Sequence, residues 1–331
     1  MIAVLLRSLA QALLRLRYRI EVTGLKPIAA RGNKGILFLP NHPALIDPPI
    51  VIAELHKHFA PRVLADKDQV DRVPLRWVAD IIGVHVLPDP AKYGDTSRTE
   101  VGRVLKESSA ILKRGENLLL YPAGHLYHSY LEHLGGNSAV ESILKELPDV
   151  RVVLIRTRGL WGSSFSRASG TAPDLIRAFK QGLLALLANG IFFSPRRHVS
   201  IELAEPEDLP RREGRTALNR FMENYYNQDA PHNIYVPYTR WGQGGPRVVP
   251  EPPVRNIEGD VEPVPDATRA IVLNHLKELT GKSELKPDEK LAGDLGLDSL
   301  ARVELFMWLE KEFGFQVGED VLETVGDVLL A

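Results

Sequence analysis

Short apolar runs alternate with longer stretches of helical spacing along the first two thirds of the chain. "GILFLP" (35–40), "PRVLAD" (61–66), "VHVLP" (84–88), "NLLLYPAG" (117–124), "RVVLIRTRG" (151–159) and "VSIELAEP" (199–206) are Leu-rich or β-branched. Each is bounded by Gly, Pro or Asn, which predicts strands. "DPPIVIAELHKHF", "SRTEVGRVLKESSAILKRG", "NSAVESILKELP" and "TAPDLIRAFKQGLLALLANG" repeat apolar positions at helical spacing. Asn137 is a candidate cap for one of these helices and Gly190 a stop for another. Such alternation implies an α/β core, a sheet flanked by helices. "GLLALLANGIFF" is too short to span a bilayer and reads as core packing or a hydrophobic ledge.

The pattern changes twice further on. From about Asp229 to Val264 the chain is rich in Pro and Gly and has no period, the composition of a linker. Tyr235, Tyr238 and Trp241 near its start could pack back on what precedes them. Beyond it, "DATRAIVLNHLKEL" and "DSLARVELFMWLEKEFGF" return to helical spacing, and "TVGDVLLA" closes a small helical bundle. The expected division is 1–230, an α/β domain, 231–264, a linker, and 265–331, the bundle.

Charge sharpens this division. The 331 residues carry a net charge of −1. Asp260 to Ala331 hold 7 basic and 16 acidic residues, a net of −9, and the preceding 259 residues carry +8. A basic body and an acidic tail domain can attract each other, and a basic body can meet anionic lipid. The first twenty residues are apolar, with Arg7, Arg15, Arg17 and Arg19, and no acid precedes Glu21. Arg7 interrupts any spanning run, and the order of basic and apolar residues differs from that of a secretory signal. This predicts an interfacial helix with its arginines on lipid phosphates, or a helix docked on the protein's own core. There is no cysteine, which excludes disulfides, a thiolate nucleophile and cysteine metal sites, and fits a reducing compartment.

"LGLDSLARVEL" places Ser299 between Asp298 and Leu300 at the start of a helix, with Glu304, Glu310 and Glu312 along it. With its surroundings it resembles the acyl carrier protein family, whose domains are small four-helix bundles. The resemblance implies that Ser299 carries 4′-phosphopantetheine, attached by a phosphopantetheinyl transferase. A phosphodiester there would sit at the positive end of the helix dipole, and the acids would offer a face to basic partners. On residue type alone, Asp298 is a helix N-cap. The thiol that the chain lacks would arrive on this arm. The last helix runs straight into the C-terminus where carrier domains usually continue another turn, the pattern expected of a piece of a longer protein, in which an acyl-activating ligase can follow a carrier.

"LPNHPALIDPP" (39–49) holds the single His-x4-Asp pair of the chain, His42 and Asp47, after a predicted strand and before a helix that Pro48 and Pro49 open. With "YPAGHLY" and "RVVLIRTRGLWGS" downstream, it resembles the lysophosphatidate acyltransferase-like (glycerolipid acyltransferase) family over residues 1–230. That implies direct acyl transfer. His42 takes the acceptor's proton while Asp47 holds the imidazole tautomer. Turns such as that at Gly124 are candidate oxyanion donors. The departures bear on the acceptor. Asp89 stands where the second block usually ends in arginine. Pro122, Ala123, Gly124, His125 and Leu126 stand for the family's Pro-Glu-Gly-Thr-Arg. Replacing both phosphate-binding arginines argues against lysophosphatidate or glycerol 3-phosphate as the acceptor, with Arg156, Arg158 and His125 as the candidates to compensate. Each also has a plainer reading, as a paired strand arginine or a loop histidine.

The expected activity is therefore transfer of an acyl group from an acyl-thioester donor, the chain's own carrier, to a lysolipid hydroxyl. The site would lie on the cytoplasmic membrane surface. A non-catalytic acyl scaffold and an N-acyltransferase are the alternatives. "HKH" (56–58) reads as solvated rather than ligating, and neither a metal nor a nucleic acid is expected.

Overall fold

The computed structural model describes residues 11–66, 84–87, 95–127, 129–135, 137–241, 244–252, 264–313 and 322–330. Seven strands form one sheet in the order β1-β7-β6-β2-β5-β3-β4. They are β1 (Tyr18–Thr23), β2 (Ile36–Pro40), β3 (Arg62–Asp66), β4 (Val84–Leu87), β5 (Leu118–Leu119), β6 (Arg151–Arg158) and β7 (Arg197–Ala204). Neighbours are parallel except β6 and β7, so the sheet is mixed, as expected. β2 is apolar along its length because it is buried on both faces. Its Ile36 and Phe38 point into one core and Leu37 and Leu39 into the other.

Helices α1 (Leu25–Ala30), α2 (Asp47–Phe59), α3 (Asp95–Lys113), α4 (Ala139–Glu146), α5 (Leu175–Ala188) and α6 (Arg215–Asn227) flank the sheet. Ile50, Leu55 and Ala178, from α2 and α5, fill the first core. Ile111, Ile143 and Met222, from α3, α4 and α6, fill the second. The parallel strands β2, β5 and β6 all end on one edge of the sheet, the usual place for a site in such folds.

Several sequence expectations change. The described part of the N-terminal segment, 11–17, is helical, but Tyr18–Thr23 is an edge strand with alternating burial. Arg17 is turned into the protein, where it donates to the carbonyls of Pro195, Val236 and Pro237. Arg15 pairs with Glu54 at 3.3 Å and Arg19 with Glu21 at 3.1 Å. Residues 11–17 thus dock on the chain itself, and Arg7 lies outside the described residues. Asn137 does not cap α4. Ser138 holds the cap position, and Asn137 serves the loop described below. Gly190 does follow the end of α5, with φ 62°.

The early linker is pinned. β8 (Ile234–Tyr235) and β9 (Arg247–Val248) pair as a short antiparallel ladder. Glu251 accepts bonds from the Trp161 indole at 2.7 Å and the Asn233 amide at 2.8 Å. Tyr238 lies under the Arg17 guanidinium, 4.5 Å from its ring centre, whereas Trp241 stands in solvent. The tail holds α7 (Asp266–Thr280), α8 (Ser299–Phe313) and α9 (Val325–Leu330) around Leu276, Leu291, Leu305 and Val325. These are three of the four helices expected; residues 314–321 lie outside the described ones. No described helix is long and apolar enough to cross a membrane.

Candidate active site

β2 delivers its chain straight into the loop Asn41–Ile46, and α2 begins at Asp47 with prolines in its first turn. The tight loop brings the His-x4-Asp pair together. His42 Nδ1 lies 2.9 Å from Asp47 Oδ2, and both residues are buried. Asp47 Oδ2 also accepts from the Ala44 amide at 3.2 Å, and Oδ1 from the Tyr121 hydroxyl at 2.7 Å. Three donors thus fix one carboxylate, and the carboxylate fixes the ring. The arrangement commits Nδ1 and leaves His42 Nε2 with no hydrogen-bond partner among the described residues. The Tyr121 ring covers the imidazole, centroids 4.4 Å apart. Burial, then the Asp47 charge, pushes the Tyr121 hydroxyl well above its ordinary range, so it stays a donor.

The backbone of His42 is held as firmly. Its amide donates to Glu132 Oε2 at 2.8 Å, and its carbonyl accepts from the Tyr127 amide at 3.1 Å. Glu132 is fully buried, and burial keeps its carboxyl protonated well above the usual range. Its Oε1 has no partner among the described residues. Asn41 ties the loop to β6, accepting from the Thr157 amide at 2.7 Å and donating to the Thr157 carbonyl at 3.0 Å. Tyr121, Tyr127, Glu132 and Asn41 were not expected from the sequence. Their partners are remote along the chain, and no local spacing signals them.

The Pro122–Leu126 block runs beside this loop. Asn137 Nδ2 donates to the carbonyls of Pro122 and Ala123 at 3.1 and 2.6 Å and sets the turn. Gly124 has φ 70° and open space where a Cβ would be. Its amide, however, donates to the Tyr121 carbonyl at 3.2 Å, so Gly124 itself is not an oxyanion donor. His125 is half-buried, and burial pushes its pKa down to about 4, which keeps it neutral at pH 7.

The two β6 arginines separate. Arg156 is committed to structure. It binds Glu202 at 2.5 Å and the Tyr225 carbonyl at 2.8 Å, and packs over the Tyr225 ring. The structure does not bring it to His42. Arg158 lines a small cleft with Asn41, Pro43, Tyr130 and Trp161, next to the His42–Asp47 loop. Its Nε and Nη2 have no partner among the described residues. Asp89 lies outside those residues. No described group of His, Asp or Glu side chains could hold a metal.

The tail touches the sheet domain at α6 and at the loop before α4. Arg215 Nη2 of α6 reaches the Gly296 carbonyl at 3.3 Å. A Cβ on Gly135 would lie 2.7 Å from Ala292 Cβ. Arg302, in the first turn of α8, is near enough for its charge to depress His125 further. Ser299 is the first residue of α8, and Asp298 Oδ1 accepts from the Ala301 amide at 2.8 Å as the helix cap.

Comparison with known proteins agrees on the tail. Residues 270–329 match the family described as phosphopantetheine attachment site. The acyl carrier proteins of Chlorobium phaeovibrioides and Chlorobium luteolum are each 47% identical over 47 residues, 14% of this chain. That of Chloroherpeton thalassium is 44% identical over 48 residues. The chain spans 60% of the length of each of these relatives. The tail is thus similar to acyl carrier proteins and matches a site for covalent 4′-phosphopantetheine. A looser likeness, TM-score 0.40 at 13% identity, covers 63% of this chain and 69% of the 1-acyl-sn-glycerophosphate (LPA) acyltransferase PlsC from Thermotoga maritima.

Proposed function

We propose that the chain is an acyltransferase that carries its own donor. It moves an acyl group from its carrier domain to the hydroxyl of a lysophospholipid or related lipid, as a peripheral protein on the cytoplasmic membrane face. The observation that carries this reading is the His42–Asp47 pair, with Nδ1 committed at 2.9 Å and Nε2 left for a substrate proton. When bound on Ser299, phosphopantetheine supplies a thiol on a long arm that holds the acyl chain as a thioester. The chain's own residues do the rest. His42 Nε2 takes the acceptor's proton as the acceptor oxygen attacks the acyl carbonyl, Asp47 steadies the imidazolium, and as the carbonyl–sulfur bond breaks His42 returns that proton to the departing sulfur. Arg158, whose Nε and Nη2 have no partner among the described residues, fits an acceptor phosphate beside the loop. The Arg215 and Gly135 contacts tie the carrier to the sheet domain, with Arg302 near His125.

Single-turnover transfer from the acylated holo-protein tests the base. His42→Ala should slow it by roughly 10²–10⁴-fold while Ser299 is still loaded normally. Transfer at the unaltered rate would remove His42 from the mechanism. Mild alkali then distinguishes a cleavable ester product from an amide that survives.

A further inference from the structure

Helix α5 is built with its large side chains outward. Ala178 and Ala185, 3% and 5% exposed, face the sheet, with Gly182 half-buried between them. Ile176, Phe179, Leu183, Leu184 and Leu187 share the opposite face, and Ile176 and Leu184 are 65% and 66% exposed. These positions recur at helical spacing, so the outward stripe is continuous. The following turn extends it with Ile191, Phe192 and Phe193, Phe192 being 70% exposed. Ile191 holds φ 67°, a costly conformation for a β-branched residue. An amphipathic helix of a globular domain normally buries this stripe; a contiguous exposed patch of this kind marks an interaction surface.

Charge selects the partner. No acid occurs between Asp174 and Glu202. Arg177, Lys180 and Arg196 are exposed in or beside the patch, and the Arg240 guanidinium lies over the Phe193 ring at 5.8 Å. Asn189, the C-cap of α5, accepts from the Arg240 amide at 2.9 Å, which holds Trp241, 87% exposed, beside the patch. Large apolar residues, cations without acids and a marginal tryptophan are the composition of a surface that lies in a lipid interface. The patch also adjoins the site. Phe179 meets Phe165 edge to face at 5.3 Å, and the Phe165 carbonyl accepts from the Leu45 amide, inside the His42–Asp47 loop, at 2.9 Å.

We propose that α5 and the Ile191–Phe193 turn are the face on which the protein rests in an anionic lipid monolayer, with Phe165 linking that face to the catalytic loop. In supplying a lipid acceptor to His42 the inference rests on the function proposed above, whereas vesicle binding by itself does not.

The experiment is cosedimentation of the full chain with phosphatidylcholine vesicles, with and without equimolar phosphatidylglycerol. The unaltered protein should pellet with the anionic vesicles, less so as salt rises. Leu183→Gln/Leu187→Gln/Phe192→Gln should lower the partition by at least about tenfold, because three apolar side chains would no longer leave water on binding. All three residues are exposed, so its thermal midpoint should hold. The variant should also keep transfer to a short-chain lysolipid below its micelle concentration, which separates failure of binding from failure of chemistry. A chain lacking residues 1–10 should still bind, and bromolipid should quench Trp241, a signal absent in Trp241→Phe. Undiminished binding by the triple variant would overturn the proposal. So would loss of binding on removing residues 1–10 alone, or a dimer that the triple variant dissolves in a chain that never pellets.

Discussion

At His42, the distribution of donors and acceptors separates the two ring nitrogens. One is committed to a carboxylate held by three donors, and the other makes no bond among the described residues. The unusual neighbour is Glu132. The unfolded carboxyl loses its proton near 4.5, while the buried one keeps it to higher pH. The folded chain then holds a proton that the unfolded chain releases, so this residue lowers stability as pH rises above about 4.5. Glu132→Gln keeps an acceptor for the His42 amide and has no proton to lose. Urea unfolding should show the variant gaining stability over the unaltered chain between pH about 5 and about 8. An equal difference at both values would mean that Glu132 ionises in place. Arg158 makes a separate prediction. Arg158→Gln should raise KM about ten- to hundredfold for a phosphate-bearing lysolipid, and leave KM for a neutral monoacylglycerol unchanged. An equal rise for both acceptors would move the phosphate elsewhere. His42 and Asp47 were legible in the sequence because they lie five residues apart, across one short loop and the helix start that follows it. Tyr121 and Glu132 were not, because they reach the loop from 74 and 90 residues away.

Among the elements, the strands that end on the site were the most legible. β2 and β6 are buried apolar runs that leave little choice of state. β1 was hidden because its alternating Tyr18–Thr23 continues an apolar, arginine-bearing segment and reads with it. α6 escaped although Leu218, Met222 and Tyr226 recur every four residues and pack in the second core, a signal present in the sequence. α5 was read correctly as a helix, but its spacing could not say which face points inward; the small residues decide that. The loop after β5 depends on one side chain. Asn137 bonds two carbonyls of the Pro122–Leu126 block and is itself placed by Asn219, which donates to its carbonyl at 2.9 Å. Asn137→Ala should cost about 1–3 kcal/mol in unfolding free energy, since two carbonyls lose their donor. A loss below about 0.5 kcal/mol, within the range of ordinary surface substitutions, would show that the block holds its own shape.

Across the whole molecule, the body carries +8 and the tail −9, and the two meet where Arg215 reaches the Gly296 carbonyl and where Arg302 of the tail lies near His125. The linker reading was half legible. Its proline and glycine content is real, but Asn233 and Glu251 anchor it to Ala168 and Trp161, which no local pattern reveals. This shortens the tether and favours delivery within one chain. The most direct measurement is discharge of the acyl-holo-protein into vesicles containing a panel of lysophospholipids, followed by intact mass. One acceptor should remove the acyl mass at a rate independent of protein concentration, and His42→Ala should abolish that loss. A thioester that survives every acceptor, or a rate that grows in proportion to protein concentration, would contradict an acyltransferase supplied by its own carrier.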